Sequence, residues 1–322
     1  MTRNQGIKLF LIFCLIFFIS CAQQQSAYEA GSAKAKDLLN YFPKGVRAIF
    51  FIDFHKTMKQ DVIDNFLKEE KNKAKFDEFV QSIGINPKED IYYMAAAITE
   101  NTDKGKKKGF GIINLKYNKE TILKKIKEGG IALGEEDYSG ITVYTKEEDD
   151  GIQAGAFLDN SNIIIGNEKA VKQVIDSYQK KAENVFKNKE LADLIKSSQT
   201  KAMVWGVSLF PSDLTKEISS KNAMFKSLEV LEAVTFFFDY KNKNLLMEIR
   251  IHSSDSKKNK EIMDVLQGIK AIGSLSSSEN QIIGELLSRV EITSGPDYVQ
   301  IFSDIPKDLV EKIREMRREG KM

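Results

Sequence analysis

Few side chains in this sequence could do chemistry, and their spacing limits what that chemistry is. Cys14 and Cys21 are its two cysteines, and His55 and His252 its two histidines. Asp53 and His55 lie two residues apart at the end of a run that reads as a strand, so their side chains share a face. That is the minimum arrangement for a carboxylate that orients a base. A nucleophile to go with them is missing, because Gly206-Val207-Ser208-Leu209-Phe210 lacks the second glycine of a nucleophile elbow. A polar pair at a strand end, facing water, accounts for both residues without catalysis. The carboxylates Glu147-Glu148-Asp149-Asp150 lack the alternating ligand positions and distal Glu of a calcium loop, and read as a solvated hairpin tip. Gly109-Phe110-Gly111 falls inside a strand, with Asn114 where a third glycine belongs, so it is no dinucleotide loop. Gly105-Lys106-Lys107-Lys108-Gly109 has no Lys-Ser or Lys-Thr pair to hold a phosphate. Trp205 and Phe236-Phe237-Phe238 are strand aromatics of the kind that fill a core or line an apolar cleft. These patterns supply no catalytic set, no metal site and no cofactor site, and the chain reads as a non-enzyme.

Cys21 is the residue whose neighbours do specify a chemistry. An uncharged apolar run from Leu9 to Ile19 follows Arg3 and Lys8 and ends at Ser20-Cys21, after which Ala22-Gln23-Gln24-Gln25 is polar. The segment has the basic start, apolar middle and small residue before the cut of a secretory peptide. It is shorter than the roughly 20 apolar residues that a membrane-spanning helix needs. Phe18-Ile19-Ser20-Cys21 resembles the lipobox of bacterial lipoproteins. The resemblance implies that residues 1–20 are removed, that the Cys21 thiol receives a diacylglycerol, and that the freed amine is acylated. It also implies a membrane partner through that lipid, and outer-membrane delivery as the default, since Ala22 is not the aspartate of an inner-membrane retention signal.

Loss of residues 1–20 removes Arg3 and Lys8 from the 48 basic residues and none of the 46 acidic ones, leaving 46 against 46. A neutral body with mixed charges has no footprint for nucleic acid, which asks for a clustered basic excess. No thiol remains for a disulfide or a zinc cluster once Cys14 leaves and Cys21 is lipidated. Residues 21–37 then read as the lipidated cysteine and a polar tether, able to reach about 50 Å when extended.

Beyond the tether, hydrophobic periodicity lays out the elements. A strand over 48–52 precedes an amphipathic helical stretch from Thr57 to Ile83, broken near Asn72 and ended by Gly84, Asn86 and Pro87. Strands at 91–99 and 110–117, a helix from Asn118 to Gly129, a hairpin turning at Asp150-Gly151 and a strand at 162–165 follow. A helix capped by Asn167 closes this half, and a short bridging helix around Leu191 follows. The succession then repeats: strand 202–209, helix 214–228, strands 233–240 and 245–252, a helical region 257–289 with a break at Gly273 to Ser277, strands 290–293 and 298–302, and a helix over 307–318 with Pro306 in its first turn. The expectation is an α+β fold of two similar repeats, 38–183 and 184–322, each a mainly antiparallel sheet with helices packed on it. The stretch Phe157-Leu158-Asp159-Asn160-Ser161-Asn162-Ile163-Ile164-Ile165-Gly166-Asn167, with its helix and the strand beyond, resembles uncharacterised bacterial lipoproteins and exported proteins built from a duplicated α+β unit. That resemblance implies an envelope location and carries no catalytic residues. Two roles follow as expectations: an anchored, non-enzymatic interaction or scaffold protein with an envelope protein as partner, or a carrier or sensor of an apolar ligand such as a lipid.

Overall fold

The computed structural model describes residues 37–99, 109–149, 151–210, 215, 229–276 and 281–318. The signal segment, Cys21, the tether, the lysine turn before Gly109, most of the 214–228 helix and the Ser278 capping box lie outside the described residues. After a helical turn over 37–39, the first half runs β1 (Val46–Asp53), α1 (Phe54–Met58), α2 (Asp61–Lys68), α3 (Glu70–Ile83), α4 (Pro87–Asp90), β2 (Ile91–Thr99) and β3 (Gly109–Leu115). It continues through α5 (Lys119–Glu128), β4 (Gly134–Tyr138), β5 (Ile141–Glu148), β6 (Gly151–Phe157), β7 (Asn162–Asn167) and α6 (Glu168–Tyr178). A 3₁₀ turn at Val185–Lys187 and α7 (Lys189–Ser197) lead to β8 (Val204–Leu209), β9 (Ala233–Lys241) and β10 (Asn244–His252). Last come α8 (Ser256–Ser276), α9 (Gln281–Ser288), β11 (Val290–Ser294), β12 (Tyr298–Pro306) and α10 (Lys307–Arg318).

All the strands among the described residues join one antiparallel sheet of twelve, in the order β11-β12-β10-β9-β8-β1-β2-β3-β7-β6-β5-β4. The fold class is α+β, as the periodicity predicts. β1 and β8 pair at the middle, Phe51 opposite Trp205, so the two runs of strands are continuous. Outward from this seam each side places its next two strands in chain order and then returns with a later one: β2, β3, β7 on one side and β9, β10, β12 on the other. The first half differs by carrying an additional hairpin, β4 and β5, at its rim.

Alternation along each strand gives the sheet two faces. The front holds the largest core, in which Ile49, Phe51, Ala95, Ile112, Ile164 and Trp205 are buried under Ala170, Val171, Val174 and Ile175 of α6 and Leu191 and Ile195 of α7. Leu38, Leu39 and Phe42 are buried in the same core, which fastens the start of the body. On the back, Ile52 and Leu115 pack with α1, α2 and α5 through Phe54, Met58, Ile63 and Ile122. A third cluster, Met203, Tyr240, Ile305, Leu309 and Val310 with Ile282 and Leu286, seats α9 and α10 on the back of the second half.

Several local devices explain where elements begin and end. Asn118, Asn167 and Asn188 each cap a helix by accepting a backbone N–H, from Thr121, Ala170 and Leu191 respectively. Gly84 ends α3 at φ 75°, a conformation with little steric cost for glycine alone. The long helical stretch from Thr57 is in fact α2 and α3, broken at Glu69, whose ψ of 128° is extended. Asn72, expected near the break, holds it shut by donating to the Phe66 carbonyl and the Glu69 carboxylate. α8 runs on through Gly273 to Ser276 and a separate helix, α9, begins at Gln281, so the helical region does divide, but no earlier than Ser277, which lies outside the described residues. Pro306 ends β12 rather than entering α10. β4 was not expected: Gly-Glu-Glu-Asp-Tyr offers no apolar alternation, and its pairing depends on the two-residue turn Ser139-Gly140, at φ 57° and 80°.

Candidate functional site

The structure places the expected pair Asp53 and His55 differently from the sequence pattern. The strand stops at Asp53 and the chain turns helical at Phe54, so His55 lies on α1 and shares no strand face with Asp53. Asp53 caps that helix, its Oδ1 accepting the Lys56 N–H at 2.8 Å, and is 5% exposed. Burial raises its carboxyl above the ordinary range, against the pull of the Lys56 N–H. Burial also lowers the His55 imidazole, helped by Lys59. The carboxylate of Asp53 thus caps α1, and the Thr57 hydroxyl on the same helix donates to the Asp53 carbonyl at 2.7 Å.

What these residues do is clasp the two halves. Lys56 Nζ donates to Asp239 Oδ1 on β9 at 2.6 Å and to the Lys201 carbonyl at 3.1 Å. The Asp53 N–H donates to the Met203 carbonyl, and the Met203 N–H to Asp239 Oδ1. Aromatic rings back up the clasp on both faces. Phe51 stacks on Trp205 with centroids 5.4 Å apart at 22° on the front, while Phe50 meets Phe236 at 6.0 Å on the back. The triplet of the sequence is thereby split: Phe237 joins the front core at its margin, and Phe236 and Phe238 face the back. Phe50, Phe236, Ile249 and Ile301, one rung across the back, remain half-buried, and Ile98 and Ile165 nearby are 46% and 50% exposed.

His252 ends β10, as expected, and shares the front of the second half with other polar groups. Its Nε2 lies 3.0 Å from the Thr235 hydroxyl, and burial lowers its pKa, with Arg250 adding to the effect. Arg250 pairs with Glu248 at 3.0 Å and lies over the Tyr298 ring at 5.2 Å. Glu291, Gln300 and Phe302 complete a mixed surface on β11 and β12. The buried cluster of this half lies on the back, and sequence reading missed the front surface because its members come from four strands whose register the sequence does not display.

The segment Asp159 to Asn162 is a polar corner. Asn162 Nδ2 donates to the Asp159 carboxylate, Asn114 Nδ2 to Asn162 Oδ1 at 2.8 Å, and the Tyr117 hydroxyl to the Asp159 carbonyl. Burial and the nearby carboxylate push the Tyr117 phenol up to about 12. Such a network holds the β6–β7 turn and buries two asparagines with their hydrogen bonds made. Among the described residues there is no group of His, Cys, Asp and Glu suited to a metal ion, and no helix long and apolar enough to cross a membrane.

A family model described as "Protein of unknown function (DUF3352)" matches residues 110–272, just over half of the chain. No curated protein matches the sequence. Among solved structures, crystal form I of TP0453 is similar over 87% of this chain and 97% of its own, with a TM-score of 0.47 and 11% identity. Crystal form III covers 85% and 96%, with a TM-score of 0.45 and 13% identity. Likeness at this level has no bearing on what the molecule does.

Proposed function

This chain belongs to the DUF3352 family of proteins of unknown function, and from that premise we propose a lipid-anchored protein of the bacterial cell envelope that binds another envelope component without catalysis. The anchor is Cys21, in a segment with the charge, apolar run and small residue of an export signal. Two or three acyl chains hold a protein firmly, at about 0.8 kcal/mol per buried methylene, where one chain binds reversibly. Outer-membrane delivery, with the body in the periplasm or at the cell surface, is the destination that Ala22 after the cysteine favours. The observation that carries the binding role is the front of the second half, where Glu248, Arg250, Tyr298, Gln300 and Phe302 form a sheet surface of charges and rings. Rings and arginine beside polar groups are what protein interfaces are enriched in. The correspondence of strand order about β1 and β8 supports descent of the two halves from one duplicated unit.

A second reading is favoured by the half-buried apolar rung on the back: an apolar ligand such as a lipid chain lies across Phe50, Phe236 and Ile249. Native mass spectrometry of the purified chain separates the two readings. The interaction role predicts a mass per copy equal to the polypeptide and its anchor, with partner protein captured from envelope extract and lost on Arg250→Glu with Phe302→Glu. A lipid beyond the covalent anchor, retained in that double variant, would replace the first reading by the second.

A further inference from the structure

Among the described residues the twelve-stranded sheet ends at two strands, β4 and β11, and they are protected very differently. β4 carries Glu135, Glu136 and Asp137 in a row, all exposed, an acidic edge of whose three carboxylates Lys172 pairs with Glu136 alone. β11, Val-Glu-Ile-Thr-Ser, carries one charge, Glu291. A groove of about 510 Å³ runs beside it, lined by Gln267, Lys270, Ala271 and Ser274 of α8 and by Val290 and Ile292. Gln267 Nε2 donates to the Ile292 carbonyl at 3.3 Å, and Lys270 Nζ donates to the Val290 carbonyl. Alternate residues of a strand aim their carbonyls the same way, so both point away from β12 to the open side. The edge is thus capped on its acceptors by two long side chains from α8, an arrangement that a more regular donor can displace.

We propose that β11 is a self-association edge, at which a second copy of this chain adds its own β11 antiparallel to the first. The sequence fits such a pairing about a two-fold axis through Ile292. Val290 then faces Ser294, Glu291 faces Thr293, and Ile292 faces its twin, so no like charges meet. The same operation at β4 sets Glu136 against Glu136 and Glu135 against Asp137. A mixed β11-to-β4 contact sets Glu291 against Asp137 when the strand centres align, and would extend without closing. The β11 pairing closes after two copies and makes one sheet across both. It goes beyond the anchoring role and does not depend on it.

The test uses the full chain in detergent solution, with sedimentation at matched detergent density reporting the protein mass. The native chain is expected to sediment as two copies, and Ile292→Pro as one, with an unchanged far-ultraviolet circular dichroism spectrum. The Ile292 N–H faces the open side, where a proline is tolerated. Under mild oxidation, Ile292→Cys is expected to give a covalent dimer absent from both the unsubstituted chain and Glu136→Cys, because directly opposed residues of this kind sit about 5.5 Å apart, within disulfide reach. A single-copy mass for the native chain at tens of micromolar would overturn the proposal. So would a dimer that survives Ile292→Pro while Ile292→Cys stays uncrosslinked, or an open-ended polymer. Repeating the measurement on Cys21→Ala keeps the outcome separate from anchoring: a dimer intact in this variant shows that the pairing does not need the lipid, and a native chain that dimerises without being acylated sinks only the envelope reading.

Discussion

One rung crosses the whole front of the sheet and shows how differently the two halves use the same architecture. From the seam into the first half it reads Phe51, Ala95, Ile112, Ile164, Ala156 and Val143, each at most 3% exposed, and ends on exposed Glu136 of β4. In the other direction it leaves buried Trp205 and reads Phe237, Glu248 and Phe302, each half-buried, and then exposed Glu291. The small alanines make room for α6 to lie close, and Gly166 lets strands approach where a Cβ would come within 2.5 Å of the Gly109 carbonyl. In the second half the corresponding last helix, α10, packs on the back instead, through Leu309 and Val310. On the front of that half Glu248 and Arg250 pair with each other, and the apolar face of α10 lies on the other side. One half therefore has its front committed to an apolar core, and the other lines its front with charges and rings.

The sharpest way to break this comparison is to truncate both ends of that rung. Trp205→Ala is expected to destabilise by about 3–5 kcal/mol, because a fully buried ring leaves a cavity against Phe51. Phe302→Ala is expected to cost well under half of that, in urea unfolding at neutral pH. Equal losses would mean that the second front is core after all. Next in size, Gly166→Ala should cost about 1–3 kcal/mol by forcing β3 and β7 apart, since the obstructing atoms are backbone. A neutral result there would show that the close approach in the first half is not under constraint.

The clasp at the seam gives the smallest effect and a pH signature. Burial raises the folded Asp53 carboxyl above its ordinary 3.8, so its contribution to stability is greatest below the unfolded value and is lost as pH rises through the folded one. Asp53→Asn keeps a good capping residue and removes the buried charge. It is expected to raise the thermal midpoint at pH 7 and to lose that advantage toward pH 3.5. An Asn variant less stable at pH 7 would mean that the Lys56 side of the clasp outweighs desolvation.

Much of this fold is legible in the sequence because its signals are local. Asn118 and Asn167 sit one residue before an apolar stripe at helical spacing, and Asp150-Gly151 separates two alternating runs; β7 leading into α6 follows directly. Elements that rest on tertiary pairing are not legible. α1 is five residues long, too short to show a period, and that alone moves His55 off the strand it was expected to share with Asp53. β4 is a strand only because β5 pairs with it across Ser139-Gly140. The seam itself joins residues about 150 positions apart, a distance at which no spacing rule applies. The mixed front surface is hidden for the same reason, being assembled across strands rather than along one.

The central claim is that this body works while tethered by lipid at residue 21. Feeding cells a clickable fatty acid and comparing the native protein with Cys21→Ala tests it most directly. The account predicts label on the native chain, a mature N-terminus at Cys21, and neither in the variant. An unlabelled native protein that still begins at Met1 would contradict it.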